Sequence, residues 1–389
     1  MAFGPLVSLL VIRLASAELW GQFVNVMLIV QLGVHIVAWG NKEYLLRAFS
    51  LKPSQLSREW QISLFTRSIL LVGLCLLIGI LFPPAQVPAI ILWALGLVLT
   101  QTHEVLILYR KDFIFAALVE AVGLVVLVTC VLWLSQNLSL NHLLLLFAAT
   151  TLVKGLSFLI RFRKDTLPRT GSGINLGGSF EIHYFTWAFT FFLLGFSGML
   201  NSRIDLYTVN YFLPKSEVGH YQVFSNFMIY VQSISAFILM PFAKNVYRLQ
   251  YNTISKISVR LFLFGLAILL PSLVAIHLIL TYLYQFSLPT IFFIGGGLSI
   301  LPIYFYLPII YALYKRDLQA TVLKINIFGI VGSLILNIIL LPRLGMVGAV
   351  ITIAVMKWLA LGIYLACGRT IRTRDASPAS ELSPTSGSG

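Results

Sequence analysis

LYRKD, Leu108–Asp112, is followed 205 residues later by a near copy, LYKRD, Leu313–Asp317. Each copy is a short charged break between two long apolar runs. Two more matches keep the same order. AELWGQF (Ala17–Phe23) resembles SEVGHY (Ser216–Tyr221), which places Gly21 198 residues before Gly219. TLVKGLSFLI (Thr151–Ile160) resembles AVMKWLALGI (Ala354–Ile363), which places Lys154 203 residues before Lys357. Each match is weak alone. Three matches in one order at nearly one offset indicate a duplicated chain, and a duplication decides the architecture.

The composition says where such a chain folds. Of 389 residues, 59% are hydrophobic and 10% charged, whereas a soluble domain carries about 25% charged residues. There is too little polar surface to face water, so a polytopic membrane protein is expected. The net charge of +14 would suit nucleic acid, but the basic residues fall in short clusters between apolar runs, which excludes it. Cys75, Cys130 and Cys367 all lie inside apolar runs and suggest neither a disulfide framework nor a metal site. The first apolar stretch has no basic n-region and no clear cleavage site, unlike a signal peptide.

A spanning helix needs about 20 apolar residues. Eleven runs qualify: about 20–39, 62–82, 87–108, 113–134, 141–160, 182–200, 218–242, 259–283, 289–313, 321–341 and 346–366. A shorter run, 3–14, reads as part of a first helix, which gives about twelve. Alternate connections are strongly basic. Of the 27 lysines and arginines only Arg13, Arg203, Lys215 and Arg343 fall on the opposite side, and Lys154 and Lys357 lie within spans. The positive-inside rule puts the basic side and the C-terminus in the cytoplasm.

The fold class expected is therefore all-α, with two six-helix lobes in a parallel pseudo-twofold repeat. The expected boundaries are 1–162 for the first lobe, 163–180 for a Gly/Ser-rich cytoplasmic linker, 181–368 for the second lobe and 369–389 for a disordered cytoplasmic tail. Gly173 and Gly178 have phosphate-loop spacing, but Ser179 and Phe180 follow where Lys and Ser/Thr are needed. With no ATPase signature, active transport would draw on an H⁺ or Na⁺ gradient, and no other cofactor is implied.

Ionisable groups at membrane depth are costly and mark function. Lys357 lies near the middle of its span, and Lys154 holds the matching place in the other half. The two would form a cationic site for an anionic group such as phosphate. Glu120, at similar depth on the neighbouring run, is a partner for Lys154 or an ion-coupling group. His103 and Glu104 cluster near the cytoplasmic end of their span, where they would pack or carry protons. Arg203 with Asp205, and Arg13 with Glu18, mark the outer ends of spans and could pair. Thr186, Thr190, Ser197 and Asn201 share one helical face, and Gln222, Asn226, Tyr230 and Ser233 another. These stripes suit helix contacts or a polar cavity lining. Gly295, Gly296 and Gly297, followed by Pro302 and Pro308, make the run 289–313 the expected hinge.

GSLILNIILLPRLGMVGAVITIAVMKWL (Gly332–Leu359), RLASAELWGQF (Arg13–Phe23) and RIDLYTVNYFLPKSEVGHY (Arg203–Tyr221) resemble segments of oligosaccharide flippases. These are the polysaccharide-biosynthesis membrane proteins of the multidrug/oligosaccharidyl-lipid/polysaccharide exporter superfamily. The resemblance runs from about Gly4 to Gly368. It implies two lobes in a V around a central cavity. It also implies flipping of polyprenyl-pyrophosphate-linked oligosaccharide across a bacterial inner membrane, among bilayer lipids and alongside glycosyltransferases or a polymerase. In that family cationic cavity residues engage the pyrophosphate, a role that Lys154, Lys357, Arg203 and Arg13 fit by type. The chain departs from the family in starting within the first helix. An ion-coupled multidrug or metabolite antiporter of the same superfamily is the alternative. A membrane-embedded enzyme would need a larger hydrophilic catalytic loop than the longest here, about 20 residues.

Overall fold

The computed structural model describes residues 4–166, 181–240, 249 and 251–376; its regular elements are all helices joined by short turns, with no strand among the described residues. In hydrocarbon no water satisfies the backbone, so an apolar run closes its own hydrogen bonds as a helix. The helices are α1 (Gly4–Leu14), α2 (Ala17–Ala38), α3 (Asn41–Leu51), α4 (Leu56–Leu81), α5 (Val87–Arg110), α6 (Phe113–Trp133), α7 (Leu140–Arg161) and the single turn α8 (Arg163–Thr166). After these come α9 (His183–Phe212), α10 (Lys215–Leu239), α11 (Tyr251–Leu278), α12 (Thr290–Lys315), α13 (Gln319–Leu344) and α14 (Met346–Ala376). Ten helical segments are long and apolar enough to cross a membrane, so the chain is a multi-pass membrane protein. At about 1.5 Å per residue, the 11 residues of α1 reach about half of a ~30 Å hydrocarbon layer. The first helix is short, as expected. Most of the expected linker (167–180) and of the tail (377–389) lies outside the described residues.

Two expectations change. The stretch 41–61 is not simply a loop, because Asn41–Leu51 folds as α3. It is amphipathic. Leu45 and Phe49 are buried in a cluster with Leu56, Trp60, Leu106 and Phe158, while Arg47 and Ser50 are exposed. The run 182–200 does not end at Leu200. It continues as the 30-residue α9, which is long enough to span but absent from the ten apolar segments because it is more polar.

Contacts divide the chain into two compact units, 1–223 and 224–389. In the first, α5 packs most extensively on α7; in the second, α12 on α14. The offset of the repeat matches α5 to α12 and α7 to α14, so both units use the same pair. The two charged turns also close alike. Lys111 is left-handed (φ 58°) and the Asp112 amide donates to the Ile107 carbonyl at 3.1 Å. In the copy Asp317 is left-handed (φ 56°) and the Leu318 amide donates to the Leu313 carbonyl at 3.0 Å. Both are six-to-one helix-ending bonds, shifted by one residue between copies.

The matched glycines meet each other. A Cβ on Gly21 would lie 1.7 Å from the Lys215 carbonyl oxygen, and one on Gly219 would lie 2.4 Å from that of Ala17. In each case the obstacle is four residues before the opposite glycine. Such an i-to-j, j-to-i contact is the mark of a local twofold, and small residues let two helix backbones approach this closely.

Candidate functional site

Lys154 projects from α7 seven residues before its end at Arg161, and Glu120 from α6 seven residues after its start at Phe113. Both ends lie at the LYRKD side of the first unit, so the two charges sit level. Lys154 Nζ donates to Glu120 Oε1 in an ion pair, which neutralises both at membrane depth.

Lys357 differs. It lies 11 residues from Met346 and 12 from Arg369 in the 24-residue span Met346–Arg369, which is mid-span. It is half-buried and makes no ion pair or hydrogen bond among the described residues. Its flanks fix the rotation of α14. Met356 is buried against Gly332 of α13, and the Trp358 indole donates to the Leu298 carbonyl of α12 at 3.0 Å. The equivalence of the two lysines is thus one of position, with one closed by a carboxylate and the other open.

A polar seam joins α2, α9 and α10. Asp205 is buried, and its carboxylate accepts from the Tyr221 hydroxyl at 2.7 Å, with Arg203 close enough to act on its charge. Gln222 is buried and accepts from the Trp20 indole at 2.9 Å. Asn210 donates to Asn25 at 2.7 Å and accepts from Lys215 at 2.9 Å. Gln222 therefore serves a helix contact. Thr186 and Thr190 are exposed on α9, and Asn201 and Asn226 are half-buried. Arg13 and Glu18 are both exposed and do not pair.

His103 and Glu104 do not act together. Glu104 pairs outward with Lys42 at 2.7 Å. His103 is fully buried against Trp60, with Nδ1 2.7 Å from the Leu99 carbonyl and Nε2 without a partner among the described residues. Consecutive helical residues point about 100° apart, which separates them. The glycine triplet does not break its helix: α12 runs unbroken from Thr290 to Lys315, through Pro302 and Pro308. Cβ atoms on Gly295, Gly296 and Gly297 would meet Val350 of α14, Met228 and Phe224 of α10, and Leu273 of α11. Close packing on three sides accounts for all three.

Sequence reasoning missed a buried charge. Arg67, eleven residues into α4, is 2% exposed. Its guanidinium donates to the Ser63 carbonyl (3.0 Å) and hydroxyl (3.1 Å), the Val37 carbonyl (3.4 Å) and the Thr102 hydroxyl (3.2 Å). No carboxylate among the described residues pairs with it. Ser63 also donates to Asn41 at 2.6 Å and meets the Tyr184 hydroxyl at 3.1 Å, which ties the start of α9 to α3 and α4. The signal was its place inside the run 62–82. Among the described residues no group of three His, Cys, Asp or Glu comes together as metal ligands.

These features define an all-helical membrane protein with a duplicated sequence and, among the described residues, an open cation, Lys357, at mid-span. No family profile matches the sequence, and no curated protein matches it. Solved structures do. The chain is similar to the lipid II flippase MurJ in an inward closed conformation, with a TM-score of 0.74 at 14% identity, over 95% of this chain and 85% of that one. It is also similar to a multidrug resistance MATE family transporter of the MOP superfamily in an inward-facing conformation, with a TM-score of 0.67 at 13% identity, over 97% and 96%. The chain has the fold these two transporters share.

Proposed function

We propose that the chain is a flippase that moves polyprenyl-pyrophosphate-linked oligosaccharide from the basic, cytoplasmic side of a bacterial inner membrane to the outer side by alternating access. The fold supports transport rather than catalysis. The observation that carries the choice of substrate is Lys357, a mid-span ammonium with no counter-ion among the described residues. A bare cation at that depth is costly, and a phosphate arriving with the substrate would offset that cost. The matched α5–α7 and α12–α14 pairs support the further reading that 1–162 and 181–368 are two copies of one duplicated lobe.

The MATE likeness favours an ion-coupled antiporter as the second reading. That activity needs a carboxylate free to exchange a proton or Na⁺ for a cationic substrate. Glu120 is held by Lys154 and Asp205 by Tyr221, which weighs against it. The test is complementation of a flippase-deficient strain. Wild type should restore surface polysaccharide and Lys357→Ala should not. Full export by Lys357→Ala would remove the role given to Lys357.

A further inference from the structure

A cleft of about 480 Å³ opens in the first unit between the α1–α2 turn and the α6–α7 turn. This is the end of α6 remote from LYRKD, the outer side in the proposed orientation. Its polar lining is Ser16, Glu18, Gln22, Ser135, Gln136 and Asn137. Ser16 is occupied as the N-cap of α2, where its hydroxyl accepts from the Leu19 amide at 3.1 Å. The side chains of the other five make no hydrogen bond among the described residues. Gln22 is half-buried on α2, one residue from the Gly21 contact.

The chemistry of the lining is selective. In a chain of net charge +14 the cleft has no cation and one carboxylate, so it disfavours phosphate. Three amides, a carboxylate and a hydroxyl offer both donors and acceptors, which suits the hydroxyls of a sugar. Leu14, Leu19 and Leu138 add apolar lining for a sugar ring's C–H face, and the volume falls in the ordinary range for a small-molecule site. We propose that this cleft is a glycan subsite, separate from the mid-span cation, that holds the neutral sugars of the substrate once they reach the outer surface. The assignment to an exit step rests on the flippase reading; the binding of neutral sugar does not.

The experiment is saturation-transfer NMR on the purified full-length protein in detergent. The probe is the pool of neutral oligosaccharides released by mild acid from the source cell's lipid-linked glycans. Wild type should show transfer to the sugar. Gln22→Leu and Gln136→Leu, each removing amide contacts, should bind about tenfold or more weakly. Gln136 is exposed and its side chain makes no hydrogen bond among the described residues, so its substitution removes no buried contact, and an unchanged melting curve separates a loss of binding from a folding defect. No transfer with wild type, or equal transfer with both variants, overturns the proposal. Flipping in vesicles without sugar binding would refute the cleft and leave the flippase reading standing. Sugar binding without flipping would do the reverse.

Discussion

Substitution of Gly21 by Ala tests the tightest helix contact in the first unit. Ordinary van der Waals contact begins near 3.4 Å, and the new Cβ would stand 1.7 Å from the Lys215 oxygen, so α2 and α10 must part by about 1.7 Å. For Gly219→Ala, at 2.4 Å from the Ala17 oxygen, the separation needed is about 1.0 Å. Both obstacles are backbone and cannot rotate away. Overpacking of this kind costs about 1–3 kcal/mol. A 1.7 Å separation would also stretch the buried Trp20–Gln222 bond, now 2.9 Å, beyond hydrogen-bond reach. That adds about 1 kcal/mol or more. The reciprocal geometry makes a sharper statement. Once Gly21→Ala has parted the helices, Gly219→Ala needs no further movement. Added to the first it should cost less than about 0.5 kcal/mol, against about 1–3 kcal/mol alone. Denaturant unfolding of the purified protein in mixed micelles measures all three variants. Additive losses, or a Gly21→Ala variant as stable as wild type, would refute a contact shared by the two glycines.

Gly40 joins α2 to α3 at φ 67°, and a Cβ there would meet the Phe192 amide nitrogen at 2.6 Å and the Ala188 oxygen at 2.9 Å. Gly40→Ala should destabilise by about 3 kcal/mol, combining left-handed strain with overpacking, in the same assay. Glu120→Gln, which strands the Lys154 charge, should be more harmful to stability than Glu120→Gln with Lys154→Gln. The expected coupling is about 1–3 kcal/mol for a partly buried pair, read from a double-mutant cycle. Arg67→Lys keeps the charge but cannot reproduce a fork to Ser63, Val37 and Thr102, and should lose about 2–4 kcal/mol. Lys42→Ala, which breaks a half-exposed pair with Glu104, should lose less than about 1 kcal/mol.

The spans were legible because apolar runs and basic turns are written plainly along the chain, and the Lys154–Glu120 pair because both residues count to the same depth. What the sequence hid follows from local physics. Arg67 was absorbed into the basic flank of its span, since a topogenic arginine and a buried one look alike until its neighbours' hydroxyls and carbonyls converge on it. Asp205 made α9 read as ending near Leu200. That carboxylate is buried with a hydrogen bond from Tyr221, sixteen residues later on another helix, and the helix runs on to Phe212. In the charged turns the left-handed residues are Lys111 and Asp317, with no glycine to signal them. The glycine triplet of α12 read as a weak point because its neighbours Val350, Met228 and Leu273 are distant in sequence.

In the proposed transport cycle the anionic head of the substrate meets Lys357. Reconstituted vesicles loaded with fluorescent polyprenyl-pyrophosphate oligosaccharide measure its movement between leaflets directly. Wild type should flip it, and Lys357→Ala should flip it about ten- to a hundredfold more slowly, the loss of one charge-assisted contact of about 1.5–3 kcal/mol. Wild-type vesicles that leave the lipid unflipped, or Lys357→Ala at the wild-type rate, would contradict the account.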